Sequence, residues 1–220
     1  MIVTLSRQLG SEGESIAERV AATLGLELVD RDFVHTAALA AGIDDSLLRR
    51  LMYEGQRTVA SEILESLGTP RSLTASAVSA SSPLLGVFAP MASPTATNLE
   101  DAAKAVGEVI KKIAARGNVL ILGQGGQALL EGEPHACHVL VMAPVEVRVA
   151  RVARQEGLTL AQARRSVRAS DQARGEYLAR YHGSRWIDPL LYHLVVNTGI
   201  TPPEGAVSLI VEAAKVVAAA

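Results

Sequence analysis

Aromatic side chains are scarce, 3% of the 220 residues, although hydrophobic residues make up 49%. The core must therefore rest on Ala, Val, Leu and Ile, a composition suited to helices packed on a buried parallel sheet. Cysteine is reduced to Cys137 alone. That excludes an intramolecular disulfide framework and fits a reducing compartment. No apolar run reaches the roughly 18 residues that span a bilayer. Met1 enters a β-branched stretch directly, without the basic and apolar regions of a secretory signal. A cytoplasmic location with no membrane partner is expected. Excess charge is missing as well: a formal net charge of −2 gives no reason to expect a nucleic acid partner.

What is present is a regular alternation of apolar runs and amphipathic stretches, expected to form one domain over residues 1–220. Strands are predicted at 2–5, 26–30, 118–123, 138–144 and 191–199, each apolar on both sides. Helices are predicted at 14–24, from Asp32 or Thr36 to Gly42, across 43–68, and at 99–116, 145–155, 159–180 and 203–219. Strands alternating with helices give an α/β fold with a parallel sheet flanked by helices. Residues 69–98 break the pattern, being rich in Ser, Thr, Ala and Pro with no lasting period. A structureless stretch of that length is commonly a lid, an arm or a linker. Its apolar centre, residues 84–91, is expected to pack on the protein's own body or on a second copy, so a homodimer is expected.

Two stretches point to chemistry. In VTLSRQLGSEGESIA a strand runs through a glycine-bearing turn into a helix, the layout of a phosphate loop. Backbone N–H groups and a helix N-terminus can converge there on an anion, and glycines let the chain fold close around it. The turn contains no lysine, however, and it carries Glu12 and Glu14. An ordinary capped strand-to-helix turn explains it equally well. Ser15 lies in the first helical turn, where a hydroxyl can reach a magnesium ion.

The second stretch is basic. Nine arginines lie between Arg148 and Arg185, offset within that span only by Glu156, Asp171 and Glu176. Arg168, Asp171 and Arg174 recur in steps of three, one helical turn apart. Such a stripe can fork onto phosphate oxygens or lie in solvent as surface ion pairs. The scarcity of carboxylates favours the phosphate site. His135, Cys137 and His138 meet no zinc spacing, and Cys137 reads as a buried, inert thiol.

With these stretches in place, the chain resembles the cytidylate kinase-like family, a branch of the P-loop nucleoside monophosphate kinases. Ser6-Arg7-Gln8 and the turn after it look like the family's SRQ-x-G-S-G-G opening. VLILGQGGQALL is similar to its central strand and turn. The run from MAPVEVRVARVARQEG through SVRASDQARGEY to LLYHLVVNTG is similar to its lid and last strand. The resemblance implies a three-layer P-loop NTPase-type fold with an arginine-rich helical lid at 145–185. It implies ATP and Mg²⁺ as cofactors and a small nucleotide such as CMP or dCMP as acceptor. It places Gly10, Ser11, Glu12, Gly13, Glu14 and Ser15 on the phosphate loop, with Ser15 as the metal ligand. Arg7, Arg168, Asp171 and Arg174 become the catalytic set, and Asp30, Gln124 and Arg151 the acceptor side.

Gly13 falls where cytidylate kinases carry the loop lysine, and Arg7 is the expected substitute. Glu12 stands where the family has Gly, and Glu14 and Gln124 where it has Arg. Each change removes a phosphate-friendly feature. A second reading therefore stands beside the kinase: a catalytically weak relative that senses nucleotides or docks a partner.

Overall fold

The stretch Ile2–Arg7 forms β1, the central strand of the computed structural model, which describes residues 1–53 and 96–219. The other strands are β2 (Glu27–Val29), β3 (Val119–Leu122), β4 (Ala136–Met142) and β5 (Leu194–Asn197). All pair in parallel, in the order β2-β3-β1-β4-β5. Between them run α1 (Gly13–Leu24), α2 (Arg31–Ala40), α3 (Asp45–Tyr53) and α4 (Leu99–Ala115). They are followed by α5 (Gly126–Leu129), α6 (Val145–Glu156), α7 (Leu160–His182) and α8 (Pro203–Ala219).

Alternate residues of a strand face opposite sides of the sheet, and both sides are covered here. Val3 and Leu5 enter a core with Ile16 and Val20 of α1 and Ile210 of α8. Ile2 enters the other core with Phe33 of α2, Leu48 of α3 and Ile110 of α4. The architecture is thus a three-layer α/β sandwich. Leu5 is fully buried in the core shared with α1 and α8, so truncating it to Ala should cost about 2–5 kcal/mol.

Several element limits differ from those expected. β1 runs on to Arg7 because Ser6 and Arg7 stay in register with Leu140 and Val141 of β4. α2 starts at Arg31, because the Asp30 carboxylate caps it by accepting from the Phe33 N–H at 2.8 Å. The last strand is shortened to β5, its expected start being taken by a 3₁₀ turn at Pro189–Leu191. Short α5 was hidden inside the glycine-rich turn after β3. α7 begins with a capping box between Thr159 and Gln162 and ends at left-handed Gly183. The expected helix from residue 54 to 68, and the segment 69–95 with its apolar centre and the dimer contact assigned to it, lie outside the described residues.

β1 is flanked by β3 on one side and β4 on the other, so the chain reverses direction across the sheet there. In open α/β sheets that switch point makes a crevice at the carboxyl ends of the strands. The candidate site lies there.

Candidate active site

After Arg7 the chain turns through residues 8–12 into α1, and the turn is tied down from several elements. The Gln8 N–H donates to the Val141 carbonyl at 3.0 Å, and its side-chain oxygen accepts from the Ala143 N–H at 3.2 Å. The Ser11 N–H and hydroxyl both donate to the Gln8 carbonyl, at 3.1 and 2.7 Å. From the end of β5, the Thr198 hydroxyl donates to the Ser11 carbonyl at 2.8 Å. Gly10 has φ +78, and a Cβ there would lie 2.7 Å from the Arg148 carbonyl oxygen, so only glycine lets the turn sit on α6. The N–H groups of Gly13 and Ser15 then open α1 with no helical carbonyl to donate to, the arrangement an anion site uses, while the Glu14 N–H donates to its own carboxylate. Ser15 is exposed at that end.

Both glutamates of the turn already have cationic partners. Glu12 holds a left-handed φ of 65, which costs a residue other than glycine about 1–2 kcal/mol. Its carboxylate pairs with Arg151 at 3.1 Å. Arg151 also donates to the hydroxyl and carbonyl of Thr198, at 3.0 and 2.9 Å. Glu14 accepts from Arg7 Nε at 2.9 Å. Partial desolvation opposes it, but the guanidinium groups of Arg7 and Arg174 hold the half-exposed Glu14 carboxyl below the usual range.

Arg7 crosses the site. A Cβ at Gly13 would lie 2.4 Å from Arg7 Cβ, and one at Gly123 would lie 2.5 Å from Arg7 Nη1. The arginine stem thus passes over the first residue of α1, and its guanidinium reaches the turn after β3. From α7, Arg174 Nη1 donates to the Arg7 carbonyl at 2.7 Å.

Beside Arg7 an open cleft lies at the carboxyl ends of β1, β2 and β3. Arg7, Arg31 and Arg174 supply cations to it, and Ser6, Gln124 and Gln127 supply polar groups. Leu51, Met52, Tyr177 and Trp186 form apolar walls. The Arg174 guanidinium lies 5.8 Å from the centre of the Trp186 ring, whose backbone carbonyl accepts from the Tyr192 hydroxyl at 2.6 Å. Burial and then the like charge of Arg7 push Arg174 down to about 9. A bound anion would relieve that penalty.

The structure therefore brings Arg7, Arg174 and Gln124 together with the loop. Asp30, Arg151, Arg168 and Asp171 do not line the cleft. Asp30 caps α2, and Arg151 braces Glu12. Asp171 grips Arg148 through both oxygens at 3.0 and 2.8 Å. Arg168 is exposed, and its charge acts on Glu146, which pairs with Arg164. The carboxylates missing from the arginine-rich stretch are supplied from outside it, by Glu12, Glu14 and Glu146. Arg148, only 4% exposed, also donates to the Ala143 carbonyl at 3.0 Å and reaches the Leu9 carbonyl at 3.4 Å, joining β4, the turn and α7.

Arg31, Gln127 and Trp186 escaped the reading of the sequence. Arg31 had a signal, since it directly follows Asp30 at the end of β2. The others lie at positions that spacing does not mark. Cys137 is buried, which pushes its thiol up to about 11 and leaves no nucleophile at neutral pH. His138 Nδ1 lies 2.8 Å from the Thr4 hydroxyl, and burial, then His193, push the ring down to about 4. Among the described residues, no group of three or more His, Cys, Asp or Glu side chains could hold a metal by itself. Nor is any described helix long and apolar enough to cross a membrane.

The chain belongs to the cytidylate kinase-like family, which it matches over residues 2–200. It is 34% identical over 103 residues to the cytidylate kinase of Aeropyrum pernix, a match that spans 47% of this chain and 59% of that protein. The crystal structure of an uncharacterized protein from Eubacterium ventriosum superposes over 98% of both chains, with a TM-score of 0.64 and 15% identity. That second likeness is one of fold.

Proposed function

We propose that this member of the cytidylate kinase-like family transfers the γ-phosphoryl group of ATP to a small phosphorylated acceptor, with CMP and dCMP the first candidates. One observation carries the reading: Arg7 bridges the loop and the cleft, where Arg31 and Arg174 add further positive charge. Phosphoryl transfer asks a protein for positioning and for charge around the moving group, and little covalent chemistry. The backbone of residues 10–15 would hold the donor phosphates at the start of α1. The acceptor phosphate would face Arg31 and Arg174, with its ring against Tyr177 and Trp186 and beside Gln124. An acceptor oxygen forms a bond to the γ-phosphorus as the bond to the β,γ-bridging oxygen breaks, and ADP departs. Arg7 offsets the charge on both sides of that exchange, the part a loop lysine plays elsewhere.

Other residues act indirectly. Asp30 fixes the start of α2 and so the position of Arg31. Asp171 holds Arg148, which ties the turn to α7. Magnesium, when bound, neutralises donor oxygens, and the exposed Ser15 hydroxyl is the residue that would ligate it. A coupled assay of ADP release with CMP, dCMP, UMP and AMP tests the reading. Release that depends on a pyrimidine acceptor is expected. Release no faster than without acceptor, for all four, would refute it.

A second reading, a catalytically silent nucleotide-binding module, is favoured by the Arg7–Glu14 and Arg151–Glu12 pairs, which engage loop cations with internal carboxylates. It predicts that ATP titrates onto the protein while no acceptor stimulates ADP release.

A further inference from the structure

The least exposed polar side chain in the wall of the cleft is that of Gln127, on α5, at 2%. Its oxygen accepts from the Ser6 hydroxyl at 3.0 Å. Its amide nitrogen, Nε2, is buried and meets no acceptor. Buried amide nitrogens nearly always have a partner, because taking one out of water without a new hydrogen bond is costly. The few exceptions call for a reason. Gln127 shares its cleft with the flat walls of Tyr177 and Trp186 and with the guanidinium groups of Arg7, Arg31 and Arg174. Such a cleft suits a planar ring with an anionic tail, and a ring of that kind needs one group that fixes its orientation.

We propose that Gln127 is a specificity-determining residue for the acceptor. Its Nε2 donates to a carbonyl oxygen or unprotonated nitrogen of the acceptor's ring, while the arginines take the phosphate. The Ser6 hydroxyl holds the amide oxygen and so presents the nitrogen. A buried donor discriminates strongly, because a ligand without a matching acceptor leaves it unpaired. This rests on the acceptor site described under the proposed function and adds the residue that reads the ring.

The test is calorimetric titration of CMP and of ribose 5-phosphate, which lacks the ring, into the full chain as wild type, Gln127→Leu and Gln127→Glu. The Glu variant is isosteric and keeps an acceptor for the Ser6 hydroxyl, and thermal melts check that each variant is folded. The quantity read is the ratio of the two affinities, in which any effect of the new charge on the phosphate cancels. Loss of one neutral hydrogen bond should lower the CMP preference by about 3- to 10-fold in both variants.

An unchanged ratio in both variants would overturn the proposal and leave the acceptor site standing. That would mean Nε2 faces the second cavity that Gln127 borders, beside His138 and His193. A loss confined to Gln127→Leu would overturn it too, since an acceptor and not a donor would then meet the ring. Binding of ribose 5-phosphate as tightly as CMP would refute ring reading alone. Binding of neither would refute this proposal and the acceptor site together.

Discussion

Restoring a lysine to the loop should damage this protein, because Arg7 already fills the space. Gly13 is not among the left-handed residues, so its backbone accepts any side chain. The obstacle is contact. A Cβ at position 13 would lie 2.4 Å from Arg7 Cβ and 2.8 Å from Cγ, whereas carbon atoms pack best at about 3.5–4.0 Å. Both contacts are to the root of the arginine, so swinging its tip away does not relieve them. Overpacking of this kind costs about 1–3 kcal/mol, and displacing Arg7 from half-exposed Glu14 adds up to about 1 kcal/mol. For a chain of this size Gly13→Lys should therefore lower Tm by about 5–10 °C. Arg7→Gly should rescue it, with a coupling of about 1–3 kcal/mol in the double-mutant cycle. Arg7→Ala should rescue less, because its Cβ stays in the way. Thermal melts of the five variants decide the matter. A Gly13→Lys protein that melts with the wild type would refute the reasoning, and so would equal rescue by Ala and Gly.

Arg174→Ala should lower kcat/KM by about 100-fold or more, as loss of a buried cation facing the reacting phosphates would, while exposed Arg168→Ala should change it by less than about twofold. Steady-state kinetics checks both, and similar losses would mean that α7 presents Arg168 to the phosphates. Asp171→Asn leaves buried Arg148 without its anion and should cost about 1–3 kcal/mol, read from the urea midpoint. An unshifted midpoint would detach Arg148 from the stability of the loop. His138 is held neutral by burial, its pKa lowered from 6.5 to about 4. The folded state thus binds fewer protons than the unfolded one between these values, so stability is full above pH 6.5 and falls toward pH 4, by on the order of 3 kcal/mol. Denaturation across that range should show the slope in wild type and a flatter one in His138→Gln, and equal slopes would assign it to other groups.

The order of elements could be read from the chain because apolar runs and glycine stops are local signals. The runs that became β1, β3 and β4 are bounded by turns, and Gly25 and Gly117 stand just past helices in left-handed conformations. Limits set by tertiary pairing could not be read this way. Ser6 and Arg7 look like turn residues, yet they finish β1 because β4 lies alongside. The site divides in the same manner. Gly10, Ser15 and Arg174 were found by spacing, and spacing within one element is what a sequence displays. Arg31 and Gln127 come from separate connections and meet only across the folded sheet.

Ion pairs between distant segments are the part that local spacing hides, and here they reverse the meaning of the loop. Taken one at a time, Gly13 in place of lysine and Glu14 in place of arginine each weaken a phosphate site. Arg7 relates them. Its stem needs a glycine at 13, its guanidinium lies against left-handed Gly123, and its Nε takes Glu14 as partner. An arginine at 14 would set a third guanidinium against Arg7 and Arg174, where Glu14 now lies between like charges. Two apparent losses are thus consistent with one gain, a cation carried on the end of β1 instead of the start of α1. Because it is anchored on the central strand, this cation faces the loop and the cleft together.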